Sequence, residues 1–281
     1  MFGNERNPSY SQIAIKVCPL LALIFSVLVT IVTLYIYEGI SPPFIFISIQ
    51  VYLNWYSICT ISRGTMTMQN NSKQSKCNSV AINMNYTNDS SPKLKYWYCE
   101  KCFCYTYKPT QHCGACKKCF HSRDHHCFFI GGCIIQQNMG NFILICFYTS
   151  LACLYSLSVV GPYLYDNLKH IANVESGVFN IVLNFCFPVA FARFVVAGET
   201  SCLLLITLFN ILFSVCVLCS IYGSWKLFNC LTGRQRYYPH IAKKQSMQEI
   251  FGNYGIYNFL FPYNGLRGSK AIDGKFELKE I

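Results

Sequence analysis

Charge is what this chain has least of. Only 12% of its 281 residues are charged, whereas 53% are hydrophobic. A soluble domain carries about twice that charge. Acidic residues are the scarcer sign, 12 Asp and Glu against 23 Lys and Arg, for a net charge of +11. So little charge excludes an ordinary water-facing surface. A basic excess can serve nucleic acid, but here it gathers in 63–123 and after Lys226, beside apolar runs. That is where the positive-inside rule puts lysine and arginine on membrane proteins, so no nucleic-acid partner is expected. The chain also lacks a cleavable leader pattern: its first apolar run is too long for a signal-peptide core and has no clear small-x-small site. A thioredoxin-like βαβ pattern is missing too, which argues against a thiol–disulfide oxidoreductase. The 18 cysteines do not read as a secreted disulfide scaffold. Eight fall in one block with CxxC spacings, and most others stand singly in apolar segments, as small core residues do.

What is present is a set of long apolar runs. About 20 residues at 1.5 Å rise cross a bilayer core. Ile13 to Tyr37 and Phe44 to Ile61 form a hairpin of spans (13–37, 44–61) around Ser41-Pro42-Pro43. Phe142 to Tyr165 (142–165) and Thr200 to Tyr222 (200–222) are two more. Residues 178–197 are apolar but interrupted by Asn184, Pro188 and Arg193, and are expected not to span. The expected organisation is a cytosolic N-terminus (1–12), a transmembrane hairpin (13–62) and a flexible polar linker (63–95). A cysteine-rich domain (96–141), a transmembrane pair (142–225) and a cytosolic tail (226–281) follow. The fold class expected is an all-α polytopic membrane protein, with four transmembrane helices and a cytosolic zinc-binding cysteine-rich domain between spans two and three. The linker's three sequons, at Asn70, Asn85 and Asn88, would then stay unmodified.

The block from Cys99 to Cys133 carries the chemistry. Repeated CxxC steps and two His-Cys dipeptides let thiolates and imidazoles meet one tetrahedral ion from tight turns, which points to structural zinc. Two Cys3His sites need six cysteines and two histidines; the block offers eight and four. Cys104 and His121 are off-spacing. Cys127 and His125 are then left without a metal role, beside Asp124. A thiol next to histidine next to carboxylate is the arrangement of an activated nucleophile: His125 takes the proton and Asp124 orients the ring. Taken alone, these residues equally allow Cys127 to be a spare ligand or a buried thiol.

The block resembles the DHHC family of protein S-acyltransferases (palmitoyltransferases). The family string is C-x2-C-x9-H-C-x2-C-x2-C-x4-D-H-H-C-x5-C-x4-N-x3-F. It is matched at Cys99, Cys102, His112, Cys113, Cys116, Cys119, Asp124, His125, His126, Cys127, Cys133, Asn138 and Phe142. The resemblance implies two structural zinc ions, one on Cys99, Cys102, His112 and Cys119, the other on Cys113, Cys116, His126 and Cys133. It implies that Cys127 is acylated from acyl-CoA, in particular palmitoyl-CoA, and passes the acyl group to membrane-proximal cysteines of substrate proteins. Phe129 and, in the third span, Ala152 would border the acyl chain. The enzyme would be an integral, multi-pass protein of an endomembrane (Golgi or endoplasmic reticulum) or the plasma membrane, its active site cytosolic. Phe128-Phe129 stands where the family has Pro-Trp, and the Thr-Thr-x-Glu motif after the last span is degraded. Those departures motivate an alternative: a catalytically impaired zinc-bearing membrane adaptor of the same fold.

Overall fold

The computed structural model describes residues 8–64, 96–107, 110–168, 183, 185–197, 202–235, 244–252 and 257–260. The linker beyond residue 64 with its three sequons, the first seven residues and much of the tail lie outside the described residues. The helices are α1 (Pro8–Tyr37), α2 (Pro42–Gly64), α3 (Met139–Leu168), α4 (Phe187–Ala197), α5 (Leu203–Thr232), α6 (Met247–Phe251) and α7 (Tyr257–Leu260). Four of them, α1, α2, α3 and α5, are long and apolar enough to cross a membrane. The cysteine-rich region lies between the second and third of these. Among the described residues the chain is mostly helical. To that the cysteine-rich region adds three two-stranded antiparallel hairpins: β1 (Tyr96–Cys99) with β2 (Cys104–Tyr107), β3 (Thr110–Cys113) with β4 (Lys118–His121), and β5 (Arg123–Cys127) with β6 (Gly132–Ile135).

Local chemistry explains the helix boundaries. Pro42 and Pro43 occupy the first turn of α2, where a missing N–H costs nothing, and Ser41 O accepts from Ile45 N at 3.0 Å. α4 has 11 residues and is about 16 Å long, short of the ~30 Å hydrocarbon core.

The chain divides into two compact units. The second comprises Leu23–Tyr52 and Ile143–Lys226. With little hydrophobic drive between apolar helices in lipid, close packing and hydrogen bonds hold it together. Thr33 Oγ1 donates to Ser156 Oγ at 2.9 Å, the Ser41 and Tyr155 hydroxyls share a hydrogen bond, and Ser150 Oγ donates to Cys216 O at 3.1 Å. Gly223 lets α5 approach Cys146 of α3: a Cβ there would stand 3.0 Å from the Cys146 Cβ. α4 buries Ala190 against Leu164, Leu168 and Ile206.

The first unit comprises Met1–Ala22, Leu53–Phe142 and Leu227–Ile281. It takes one end of each long helix: the start of α1, the end of α2, the start of α3 and the end of α5. Its core joins Ile61 of α2 to Cys113, Phe120, Cys133 and Ile135 of the hairpins. Asn141 Nδ2 donates to Asn54 Oδ1 at 3.1 Å, both buried. The tail returns here. Ser246 and Glu249 form a reciprocal cap on α6, and the Phe251 ring packs tilted against Phe259 of α7, centroids 4.6 Å apart. Gly140, in the first turn of α3, lies so close under the tail that a Cβ would overlap the Ile250 carbonyl.

Candidate functional site

Alternation along β5 separates its residues. His126 pairs across the hairpin with Cys133 and shares its face, while His125 and Cys127 pair with Ile134 and Gly132 on the other. The two sets of donors named from the spacing come together as two clusters. Cys99, Cys102, His112 and Cys119 form one, and Cys113, Cys116, His126 and Cys133 the other; within each, the ligand atoms lie within 4.8 Å of one another.

The spacing inside the clusters fits a tetrahedral ion. Zinc bonds of about 2.3 Å to sulfur and 2.0–2.1 Å to nitrogen give tetrahedron edges of roughly 3.8 Å for S···S and 3.6 Å for S···N. In the first cluster the Cys102–Cys119 sulfurs are 3.6 Å apart, and His112 Nδ1 is 3.6, 3.2 and 3.8 Å from the Cys99, Cys102 and Cys119 sulfurs. In the second, Cys116–Cys133 is 3.6 Å, and His126 Nδ1 is 3.7, 3.3 and 3.7 Å from Cys113, Cys116 and Cys133. Protons serve these crowded donors badly. Hydrogen bonds from Cys116 and Cys133 hold the Cys113 thiol far below its ordinary range, while bonds to Cys113 and Cys116 push Cys133 far above it. The same sulfurs raise His126 to about 9. A dication ionises all three thiols and removes the conflict. Each cluster can hold a metal ion.

The remaining three residues of the tetrad-bearing strand are arranged differently. The register shifts between Arg123 and His125, so Asp124 is the extra residue of a bulge. Its carboxylate, 4% exposed, turns to its neighbour, with Oδ2 2.7 Å from His125 Nδ1. Phe142 meets the His125 ring edge-on at 5.2 Å. A hydrogen bond from Nδ1 to a carboxylate orients the ring and sets its tautomer. Cys127 is half-buried at the end of β5, in neither cluster. Burial pushes its thiol above the ordinary range, opposed by the backbone N–H groups of Ile130 and Phe129. Phe128 packs its ring on His126 at 5.3 Å, whereas Phe129 is 68% exposed. Ala152 lies half-buried midway along α3, in the second unit.

Several contacts are absent from any reading of spacing. Trp55 Nε1, on α2, donates to the Ile130 carbonyl at 3.1 Å, and Cys59 Sγ, one turn on, reaches the same oxygen at 3.7 Å. Ser62 Oγ accepts from Cys133 N at 3.2 Å. Asn138 closes the strand after the second cluster: its Oδ1 accepts from Ile135 N at 2.8 Å and its Nδ2 donates to Cys133 O at 3.0 Å. Only Asn138 had a sequence signal, its fixed distance from Cys133.

Comparison with known proteins bears on the same residues. The pattern of the DHHC palmitoyltransferase family matches residues 93–238. "Palmitoyltransferase ZDHHC22" of Mus musculus is 32% identical over 173 residues, 58% of this chain and 64% of that protein. The Homo sapiens protein of that name is 32% identical over 176 residues, with the same coverages. "Probable protein S-acyltransferase 15" of Arabidopsis thaliana is 40% identical over 58 residues, 21% of this chain and 23% of that protein. The chain therefore spans just under two thirds of the length of the first two relatives.

Proposed function

Because the chain belongs to the DHHC palmitoyltransferase family, we propose that it is a protein S-acyltransferase working through an acyl-enzyme thioester on Cys127. The observation that carries this reading is the hydrogen-bonded Asp124–His125 pair on the strand that presents Cys127, beside two donor sets that use neither His125 nor Cys127. The donor is a long-chain acyl-CoA, most simply palmitoyl-CoA, and the acceptor a cysteine near the membrane surface of a substrate protein.

His125 takes the Cys127 proton at Nε2, and the sulfur attacks the thioester carbonyl. The new C–S bond forms as the bond to CoA sulfur breaks, and His125 returns the proton to the departing CoA thiolate. In the second step the acceptor thiol gives its proton to His125, attacks the acyl-enzyme carbonyl and displaces the Cys127 sulfur, which regains the proton. Asp124 stays ionised and holds the ring throughout. We read the exposed Phe129 as an apolar face beside the reacting carbon and Ala152 as a residue bordering the acyl chain. Zinc suits the three-thiolate, one-imidazole sets. Held by Cys99, Cys102, His112 and Cys119 and by Cys113, Cys116, His126 and Cys133, it would supply rigidity rather than reactivity. The site would face the cytosol, from an endomembrane or the plasma membrane.

The test is incubation of the purified protein with labelled palmitoyl-CoA. Hydroxylamine-sensitive label on Cys127 is expected, lost in Cys127→Ser with zinc content unchanged. A zinc-loaded wild type that takes no label would instead be the impaired adaptor.

A further inference from the structure

The three hairpins are copies of one unit. Their tips open on Cys99, Cys113 and Cys127, fourteen residues apart, and pair identically across the tip: Cys99 with Cys104, Cys113 with Lys118, Cys127 with Gly132. Four residues past each opening cysteine the backbone turns left-handed, at Phe103 (φ 52°), Lys117 (φ 55°) and Gly131 (φ 75°). Three residues past it an N–H points back at the sulfur: Cys102 to Cys99, Cys116 to Cys113, Ile130 to Cys127. The clusters obey one rule. The tip pair of each hairpin, Cys99 with Cys102 and then Cys113 with Cys116, is completed by a histidine and a cysteine from the next hairpin. By that rule the third tip should supply positions 127 and 130, and a fourth hairpin positions 140 and 147. Position 130 is isoleucine, 140 and 147 are Gly140 and Phe147, and α3 has already begun at Met139.

We propose that Cys127 occupies the first-ligand place of an unfinished third knuckle, and that Trp55 is the positioning residue that holds this knuckle where a metal ion holds the other two. In the first two hairpins a bound ion would fix the tip and take up the thiols. In the third the tip is fixed from outside. The Trp55 indole N–H and the Cys59 sulfur grip the Ile130 carbonyl, and Gly131 sits over the Pro19 ring, which a Cβ there would meet at 2.8 Å. Ile130 carries this grip to the sulfur, because its carbonyl faces Trp55 while its N–H faces Cys127. The tip is ordered as a metal site is ordered, yet its sulfur stays free to attack. The role of Trp55 rests on the reading of Cys127 as nucleophile; the knuckle equivalence does not.

Two arms test it on the full-length, zinc-loaded protein. In the first, Trp55→Phe deletes the N–H and keeps the ring. Single-turnover acylation of Cys127 by palmitoyl-CoA should slow about tenfold, with the KM for palmitoyl-CoA and the zinc content unchanged. A wild-type rate overturns the positioning role, and so does a loss of zinc or a rise in KM alone, the signature of a merely structural tryptophan. In the second arm, Ile130→Cys restores the tip pair of thiols. Added cobalt(II) should give a new thiolate–cobalt absorption, absent from wild type and from the Ile130→Cys, Cys127→Ser double variant, and should block acylation. No new absorption overturns the equivalence. If wild-type Cys127 takes no acyl label, the acyl-transfer reading fails, while the cobalt arm still decides the knuckle.

Discussion

In the second hairpin the tip sulfurs of Cys113 and Cys116 turn toward His126 and Cys133. In the third, Cys127 holds the place of Cys113, but Ile130 holds that of Cys116, and its neighbour outside the strand is an α-helix rather than another hairpin. The strands differ as well. Thr110 of β3 pairs in register with His121, whereas the corresponding Asp124 of β5 is bulged out of register. One scaffold thus yields a cluster that can hold a metal and an open thiol, through the lost tip ligand at Ile130, the missing fourth hairpin and one bulge. The bulge is what frees a carboxylate to hold the histidine beside that thiol. On the proposed reading, a reactive group is obtained by leaving a structural site incomplete, and its rigidity would come from neighbours that a metal ion fixes.

Four substitutions sharpen this contrast. Cys116→Ser should have the largest effect, since structural zinc in small domains supplies about 10–16 kcal/mol of apparent binding energy that is also folding energy. Metal analysis should show one ion lost and calorimetry a lost or broadened transition, with no acylation left. Cys127→Ser, at the matching place, should abolish acyl label yet keep both ions and melt within about 3 °C of wild type, because no metal bond is broken. If its zinc content fell, the two tips would not differ as described. His125→Ala should keep both ions and slow acyl-enzyme formation by roughly a hundredfold or more, the range of general base catalysis; an unaltered rate in a quench-flow experiment would remove His125 from the chemistry. Asn138→Ala deletes the two buried hydrogen bonds that close β6 and should cost about 2 kcal/mol in denaturant unfolding, with acylation persisting at temperatures below the new midpoint.

Much of this was legible in the chain. Four apolar runs of bilayer length announced the helices, because in lipid a helix is the cheapest way to satisfy the backbone. Metal ligands announced themselves because thiolates must sit close in sequence to share an ion from one turn. The fourteen-residue period was also on view in Cys99, Cys113 and Cys127, but ligand counting treats cysteines as a pool and ignores which hairpin owns them. The Asp124 bulge was hidden, since one-residue register shifts leave no mark in composition. Trp55 was hidden for a different reason: an indole inside an apolar span reads as lipid-facing bulk, and only the folded chain shows that its N–H meets Ile130. The tail contact at Gly140 belongs with these, because a glycine at a helix start suggests flexibility rather than close approach.

That glycine has a practical corollary. Where α3 leaves the cysteine-rich region, its surface is bare by a single missing methyl group, and the Ile250 carbonyl occupies the space. The C-terminal segment is therefore seated by the shape of a gap as well as by the hydrogen bond from Gln245 N to Cys230 O. Such a fit tolerates no enlargement on the helix side, where the tail backbone at Ile250 fills the gap. Exchanging this segment between related proteins should succeed where its path and its buried side chains, Gln245, Ile250, Phe251 and Asn258, are kept.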